Sequence, residues 1–243
     1  MEAPLMHTHY AKLIKYQDTD FRSKNIRRLI LKYVQPGSVL EVGCGTGHLD
    51  LELLKRGHEV FATDGSRKMI AYTKRTCRKY GKQLQTIVLP GNQLNRIKQK
   101  FDNIISIDVL EHIENDRDVL KQMHALLKEH GRVIILVPTW KVLYGIRDKE
   151  MGHYRRYGKK ELQNKLREAG FEIQKTRYWN ILGVLPYFIS ERILQKRINE
   201  NIRYERTPFK SFMNKLLDFW FLLIENSISF PLGLSLLVIA KKI

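Results

Sequence analysis

The chain has 243 residues, of which 43% are hydrophobic and 28% are charged. This balance lets a chain of such length bury a substantial core, and it excludes intrinsic disorder. The 43 lysines and arginines outnumber the 25 acidic residues and give a net charge of +18. This excess predicts an anionic partner, such as nucleic acid, an acidic membrane surface or a phosphorylated substrate.

Two features bear on the compartment. Cys44 and Cys77 are too few for a disulfide framework, which fits a reducing environment. Residues 1–15 lack the continuous apolar stretch of a signal peptide or membrane anchor. We therefore expect a cytoplasmic protein, with peripheral binding to the membrane as an alternative.

Strands and helices alternate along the first 140 residues. After a polar helix over residues 19–33, the predicted strands are 39–42, 59–63, 85–89, 103–107 and 133–137, and the predicted helices between them are 48–55, 67–80 and 117–129. Five apolar strands separated by helices are typical of a parallel sheet covered on both faces. The sequence therefore predicts a doubly wound, Rossmann-like α/β core.

The pattern changes after Pro138. A basic aromatic loop is followed by a predicted helix over residues 160–169, a strand over 171–178 and a last apolar run over 234–240. The apolar character of residues 218–240 is interrupted by polar residues, a proline and a glycine, so we expect no transmembrane helix.

A glycine loop lies between the first strand and the next helix. Gly43, Gly45 and Gly47 permit a tight turn and a close approach of the backbone to a ligand. A dinucleotide fingerprint needs its third glycine at the position of His48, so the spacing disfavours NAD. Asp64 ends the second strand, where a carboxylate can accept hydrogen bonds from both hydroxyls of a ribose. The alternative for the loop is a plain chain reversal, and the alternative for Asp64 is a helix cap.

The order of several blocks resembles the class I S-adenosylmethionine (SAM)-dependent methyltransferases over roughly residues 38–139. The blocks that carry the resemblance are Val39–Gly47, Asp64, Phe101–His112 and Gly131–Pro138. The resemblance implies a seven-stranded, mostly parallel sheet whose antiparallel last strand is inserted between strands five and six. It also implies a single methyltransferase domain over residues 1–243, with a SAM-binding core at 36–139 and a helical insertion or lid at about 180–228.

The resemblance also assigns residues to SAM. The three glycines would line its methionine part, Glu41 would order the loop, and Asp64 would bind the ribose. Asn92 stands where the family often has an acidic residue facing the adenine amino group, and an amide oxygen can accept the same bond. Arg22 lies where several members place an arginine against the SAM carboxylate. The complete predicted set is Arg22, Glu41, Gly43, Gly45, Gly47, Asp64, Asn92 and Asp108.

Methyl transfer depends mainly on positioning, but a hydroxyl or ammonium acceptor also needs a base. His153, in the loop Gly152–Tyr157, is the predicted catalytic base, because a neutral imidazole suits this role. His112 follows the fourth strand and is interpreted as a structural contact beside the cofactor. Arg155 and Arg156 are candidates for binding an anionic group of the acceptor.

A divalent cation is an alternative at the end of the fourth strand. Asp108, Glu111 and His112 have the spacing of side chains that share one face of a helical turn. Some quinone-precursor O-methyltransferases look similar here, with Glu in place of Asp108. We nevertheless predict no metal site.

The predicted function is methyl transfer from SAM to a small-molecule or lipid-linked acceptor. The aromatic and basic composition of residues 180–228 favours an anionic membrane surface or a lid over an apolar substrate. An RNA methyltransferase is the alternative that the basic charge supports, although a base-methylation motif of the Asn-Pro-Pro-Tyr type is missing. A non-catalytic SAM-binding protein is the third hypothesis.

Overall fold

The computed structural model describes residues 14–15, 20–196, 198 and 207–243. Seven strands form one sheet: β1 (Ser38–Val42), β2 (Glu59–Asp64), β3 (Leu84–Val88), β4 (Phe101–Ile107), β5 (Leu127–Pro138), β6 (Phe171–Trp179) and β7 (Ser235–Lys242). The α-helices are α1 (Phe21–Ile30), α2 (His48–Lys55), α3 (Arg67–Thr76), α4 (Asp116–Leu126), α5 (Ile146–Glu150), α6 (Lys159–Glu168), α7 (Val184–Phe188) and α8 (Pro208–Trp220).

The strand order is β3-β2-β1-β4-β5-β7-β6. Strands β1 to β5 pair in parallel, whereas β7 lies between β5 and β6 and is antiparallel to both. This arrangement confirms the predicted seven-stranded, mostly parallel α/β sheet with an antiparallel last strand.

Side chains along the central strands point alternately to the two faces of the sheet, so a hydrophobic core lies on each face. In β5, Val133 and Ile135 pack on one face with side chains of α4 and α6. Ile134 and Leu136 pack on the opposite face with side chains of α1, α2 and α3. All four are fully buried, because successive residues of a strand point to opposite sides and helices cover both.

Several element boundaries differ from the sequence prediction, and two of these differences have a clear physical cause. The predicted helix over residues 117–129 ends at Leu126, because Leu127 is fully buried and pairs with Phe101 at the start of β4. The predicted helix over residues 19–33 is shorter: α1 begins after Asp20, whose carboxylate accepts hydrogen bonds from the backbone N–H of Arg22 and Ser23. Thr19 lies outside the described residues.

Residues 180–228, which we call the insertion, form most of the connection between β6 and β7. They contain α7, a π-helical turn (Ile189–Ile193), α8 and a second π-helical turn (Phe221–Glu225). Three basic residues of this segment, Arg197, Arg203 and Arg206, lie outside the described residues. None of the described helices combines the length and the apolar character needed to cross a bilayer.

One carboxylate connects the insertion to α1. Asp218 of α8 accepts hydrogen bonds from Lys24 Nζ at 2.7 Å, Asn25 Nδ2 at 2.6 Å and Arg28 Nη1 at 2.9 Å. The two cations lower the pKa of Asp218 even though partial burial would raise it. These contacts hold α8 beside α1, next to the carboxyl edge of the sheet.

Candidate functional site

A cavity of about 1310 Å³ opens at the carboxyl edge of the parallel strands. The strand order reverses between β1 and β4, and a ligand crevice is expected at such a switch point. The wall includes the glycine loop after β1, the segment after β4 and part of α1. The inner face of the insertion completes it through Met213, Leu217 and Phe221.

The glycine loop has the backbone of a ligand cradle. Gly43, Gly45 and Gly47 have φ angles of +78°, +57° and +77°, in the left-handed region that favours glycine. A Cβ atom on Gly43 would lie 2.4 Å from Cγ2 of Val109, whereas a Cβ on Gly45 would meet nothing within 4 Å. The open side of Gly45 therefore leaves room for a bound molecule against the backbone.

Gly47 has a different position from the one that the resemblance implied. It is absent from the cavity wall among the described residues and precedes α2, where an added Cβ would lie 2.8 Å from Cα of Thr73. A glycine is required at position 47 because α2 and α3 pack closely at this point. The other seven predicted SAM-binding residues line the cavity.

Asp64 connects the end of β2 to the glycine loop. Its Oδ2 accepts a hydrogen bond from the Gly45 N–H at 3.0 Å, and its Oδ1 accepts one from the Ser66 N–H at 2.8 Å. The side chain of Ser66 makes no capping bond to α3. The carboxylate of Asp64 therefore stabilises both the glycine loop and the turn before α3. Only 8% of Asp64 is exposed, on the cavity wall.

A pair of buried carboxyl groups lies below the glycine loop. Burial raises the pKa of Glu41 well above its usual range, and the neighbouring Asp50 raises it further. Burial also raises the pKa of Asp50 to about 6. Both oxygens of Asp50 lack a hydrogen-bond donor among the described residues, so a proton shared with Glu41 explains the pair.

Arg22 and Asp108 form an ion pair across the cavity wall. Arg22 Nη2 lies 3.0 Å from Oδ2 of Asp108. Burial would raise the pKa of Asp108, but the Arg22 guanidinium keeps it below its usual range. Asp108 has a φ of +51°, a conformation that costs a non-glycine residue energy and is often found at functional sites. Asn92 lies on the same wall and is exposed.

His153 also lines the cavity, and a buried carboxylate orients it. Its Nδ1 lies 2.8 Å from Oδ1 of Asp148, and the imidazole is almost fully buried. Although burial opposes ionisation of Asp148, its bonds to His153 and Arg156 keep its pKa far below the usual range. Because an ionised carboxylate only accepts hydrogen bonds, Nδ1 of His153 carries a proton, and in the neutral form of the ring the lone pair is therefore on Nε2.

Asp148 is the centre of this polar cluster. Its Oδ2 accepts hydrogen bonds from Arg156 Nε at 2.8 Å, Tyr187 Oη at 3.0 Å and the Gly145 N–H at 3.0 Å. Asp148 was not predicted from the sequence, because its position five residues before His153 matches no catalytic motif. The helix α5 positions it, and only the folded chain brings Tyr187 from the insertion to the same oxygen.

The two loop arginines are paired within the chain. Arg156 binds Asp148 and lies 4.4 Å from the centre of the Tyr187 ring. Arg155 binds Asp116 at 2.9 Å. Their charges are therefore balanced by carboxylates of the fold, which argues against the interpretation of this pair as an anion-binding site for the acceptor.

One cluster in the described part of the chain has the donor atoms of a metal site. Glu111, His112 and His153 each offer a ligand atom, and these atoms lie within 4.8 Å of one another. The rings of His112 and His153 contact edge to face, with centroids 4.6 Å apart. Burial lowers the pKa of His112 to about 4, with a further contribution from His153. Burial and Asp108 raise the pKa of Glu111, and both carboxyl oxygens of Glu111 lack a hydrogen-bond partner among the described residues. The absence of a metal site here stays a prediction.

A family model described as a methyltransferase domain matches residues 14–176, more than half of the chain. The chain belongs to this methyltransferase family. The glycine/sarcosine N-methyltransferase of Parasynechococcus marenigrum is 34% identical over 111 residues, which cover 44% of this chain and 39% of that protein. The ubiquinone biosynthesis O-methyltransferase of Pelagibacter ubique is 28% identical over 124 residues, which cover 51% and 47%. The chain thus matches less than half the length of these relatives.

The fold of the methyltransferase agrees with solved structures. The N-methyltransferase NodS from Bradyrhizobium japonicum, in complex with S-adenosyl-L-homocysteine, superimposes with a TM-score of 0.59 at 14% identity. The match covers 94% of this chain and 90% of that one. The family membership confirms the predicted methyltransferase class and its SAM cofactor.

Proposed function

We propose that this methyltransferase transfers the methyl group of SAM to a nucleophilic oxygen or nitrogen of a bulky, largely apolar small molecule or lipid-linked acceptor. The observation that carries the proposal is the continuity of the cavity from the glycine loop to the apolar inner face of the insertion. Its volume exceeds the roughly 300–1,000 Å³ of a typical ligand pocket, so two molecules can be accommodated.

Two groups of wall residues suit the two ligands. Gly45, Asp64 and the Arg22–Asp108 pair provide backbone and charged groups, which suit the ribose and the amino-acid part of SAM. Met213, Leu217 and other side chains of the insertion provide an apolar wall. In this proposal the polar groups hold the cofactor, and the apolar wall holds the acceptor.

His153 acts as the general base in this proposal. SAM supplies a methyl group on a sulfonium, and the acceptor atom forms the new bond to carbon as the carbon–sulfur bond breaks. The acceptor loses one proton, which passes to Nε2 of His153 while Nδ1 keeps its hydrogen bond to Asp148. Ionised Asp148 stabilises the imidazolium that results, as a carboxylate does beside other catalytic histidines.

The relatives support both kinds of acceptor atom. One is named for N-methylation of glycine and sarcosine, and the other for O-methylation in ubiquinone biosynthesis. The basic surface charge alone also fits RNA, but the apolar wall of the insertion favours a lipid-like acceptor over a polyanion.

The test is methyl transfer from SAM labelled in its methyl group. Purified enzyme is incubated with a total lipid extract, a polar metabolite extract and total RNA in parallel, with His153→Ala as the matched variant. We expect label in the organic phase of the lipid reaction and a loss of roughly 10²-fold or more with His153→Ala. Label in RNA, or the same lipid labelling by wild type and His153→Ala, would contradict the proposal.

A further inference from the structure

The helix α8 and the π turn after it expose a continuous row of large apolar side chains. This row, which we call the outer stripe, consists of Phe209, Phe212, Leu216, Phe219 and Leu223, with exposed fractions of 71, 64, 50, 59 and 51%. Spacings of three and four residues place them on one side of a helix. Soluble proteins seldom leave such a contiguous apolar face in water, and such faces mark interaction sites.

The opposite face of α8 already has its contacts. Met213, Leu217 and Phe221 line the cavity, and Asn214 is buried. The helix is therefore apolar on two sides, whereas a surface helix normally presents a polar face to solvent. Packing against the fold accounts for the inner face and leaves the outer stripe unexplained.

Charges in the described part of the insertion are separated by sign. Glu191 and Glu225 are buried, and Asp218 is paired with Lys24 and Arg28. Among the described residues of the insertion, the exposed charged side chains are all basic: Arg192, Lys196 and Lys215. The outward surface thus combines apolar and cationic groups, the combination that an anionic lipid headgroup layer attracts.

We propose that the outer stripe docks this methyltransferase on an anionic lipid bilayer. The phenylalanine side chains insert at the boundary between headgroups and acyl chains, and the lysines lie near the lipid phosphates. A second copy of the chain fits less well, because a two-fold contact would bring the same basic groups face to face. Binding to vesicles is measured without methyl transfer, so the proposal does not depend on the acceptor proposed above.

Vesicle flotation tests this surface. Wild type is mixed with phosphatidylcholine vesicles that contain either no phosphatidylglycerol or an equal share of it. The variant Phe212→Ser/Phe219→Ser disrupts the stripe. The matched control Val142→Ser/Ile243→Ser removes two apolar side chains that are 59% and 75% exposed elsewhere. Isothermal titration with S-adenosylhomocysteine and thermal unfolding show that each variant is folded.

We expect wild type and the control to float with the anionic vesicles only, and the stripe variant to lose roughly ten-fold or more of its partitioning. The substitution Lys215→Gln should weaken binding to the anionic vesicles, and 0.5 M salt should weaken the binding of wild type. No binding of wild type to anionic vesicles, or equal binding of the folded stripe variant, would overturn the proposal. Concentration-dependent dimerisation that is lost in the stripe variant, without vesicle binding, would assign the surface to a second copy instead.

Discussion

The Nδ1 atom of His153 lies 2.8 Å from Oδ1 of Asp148. This bond determines which nitrogen of the imidazole keeps its proton, because the cations around Asp148 keep that carboxyl ionised. The ring of His153 forms part of the cavity wall, so the pair has the orientation of a base and its positioning residue.

Asp148→Asn should lower kcat by roughly 10²-fold while the KM for the acceptor changes little, because the amide cannot hold the same tautomer or stabilise the imidazolium. The pH profile of kcat should change together with its magnitude. The measurement is steady-state kinetics between pH 5.5 and 9 on the acceptor found in the labelling experiment.

Asp116→Asn is the matched control for this prediction. Asp116 is a buried carboxylate with three charged or polar partners, Tyr157, Lys165 and Arg155, but no histidine. Its loss should lower the melting temperature as Asp148→Asn does and leave kcat nearly unchanged. Equal effects of the two variants on kcat would reduce Asp148 to a structural role.

Asp64→Ala should weaken the binding of SAM and S-adenosylhomocysteine by roughly ten-fold or more. The substitution removes a charged hydrogen-bond acceptor and releases the Gly45 N–H from its partner. Isothermal titration measures the effect, with NAD as a ligand that should not bind. Glu52→Ala, on the exposed face of α2, serves as the control and should bind like wild type. Unchanged affinity of Asp64→Ala for SAM and S-adenosylhomocysteine would show that Asp64 does not contribute to cofactor binding.

The Glu41–Asp50 pair predicts that stability decreases as pH rises. The pKa of Asp50 is raised by burial from its usual 3.8 to about 6, so the folded state binds protons more tightly than the unfolded chain. The stabilisation from this group is complete below about pH 4 and is lost as pH rises through about 6. At pH 8, Asp50→Asn should therefore melt roughly 5 °C above wild type, and the two should melt close together at pH 4.5.

Thermal unfolding, monitored by circular dichroism, gives the difference in melting temperature between Asp50→Asn and wild type at each pH. The contributions of the other titrating groups cancel in this difference, because both proteins contain them. Glu52→Gln, a change at a half-exposed side chain of the same helix, should show no dependence of this kind. A constant difference between Asp50→Asn and wild type across the pH range would contradict the raised pKa of Asp50.

Removal of divalent cations should leave methyl transfer unchanged. The proposed reaction uses Nε2 of His153 as a base, and a cation held by Glu111, His112 and His153 would compete for that lone pair. The measurement is turnover after dialysis against EDTA, with and without added Mg²⁺ or Zn²⁺. Activity that is lost with EDTA and restored by one metal would assign Glu111, His112 and His153 to a cation site.

Local sequence patterns predicted the order of strands and helices, the glycine loop and the position of Asp64. Periodicity and motif spacing are properties of neighbouring residues, so they can be read without the fold. The resemblance to the class I methyltransferases also predicted an inserted, antiparallel last strand, and the pairing of β7 with β5 and β6 confirms this prediction. The helix boundary near Leu127 was wrong, because burial in the sheet overrides local helical preference.

Long-range packing of the folded chain determines which side chains share an environment. Asp148, Tyr187 and His153 meet because α5, the insertion and a loop pack together, and residues so far apart in the chain carry no common local pattern. The same packing places Gly47 behind the cavity against Thr73 and gives α8 its inner and outer apolar faces. Burial and long-range contacts create these relationships, and both exist only once the chain is folded.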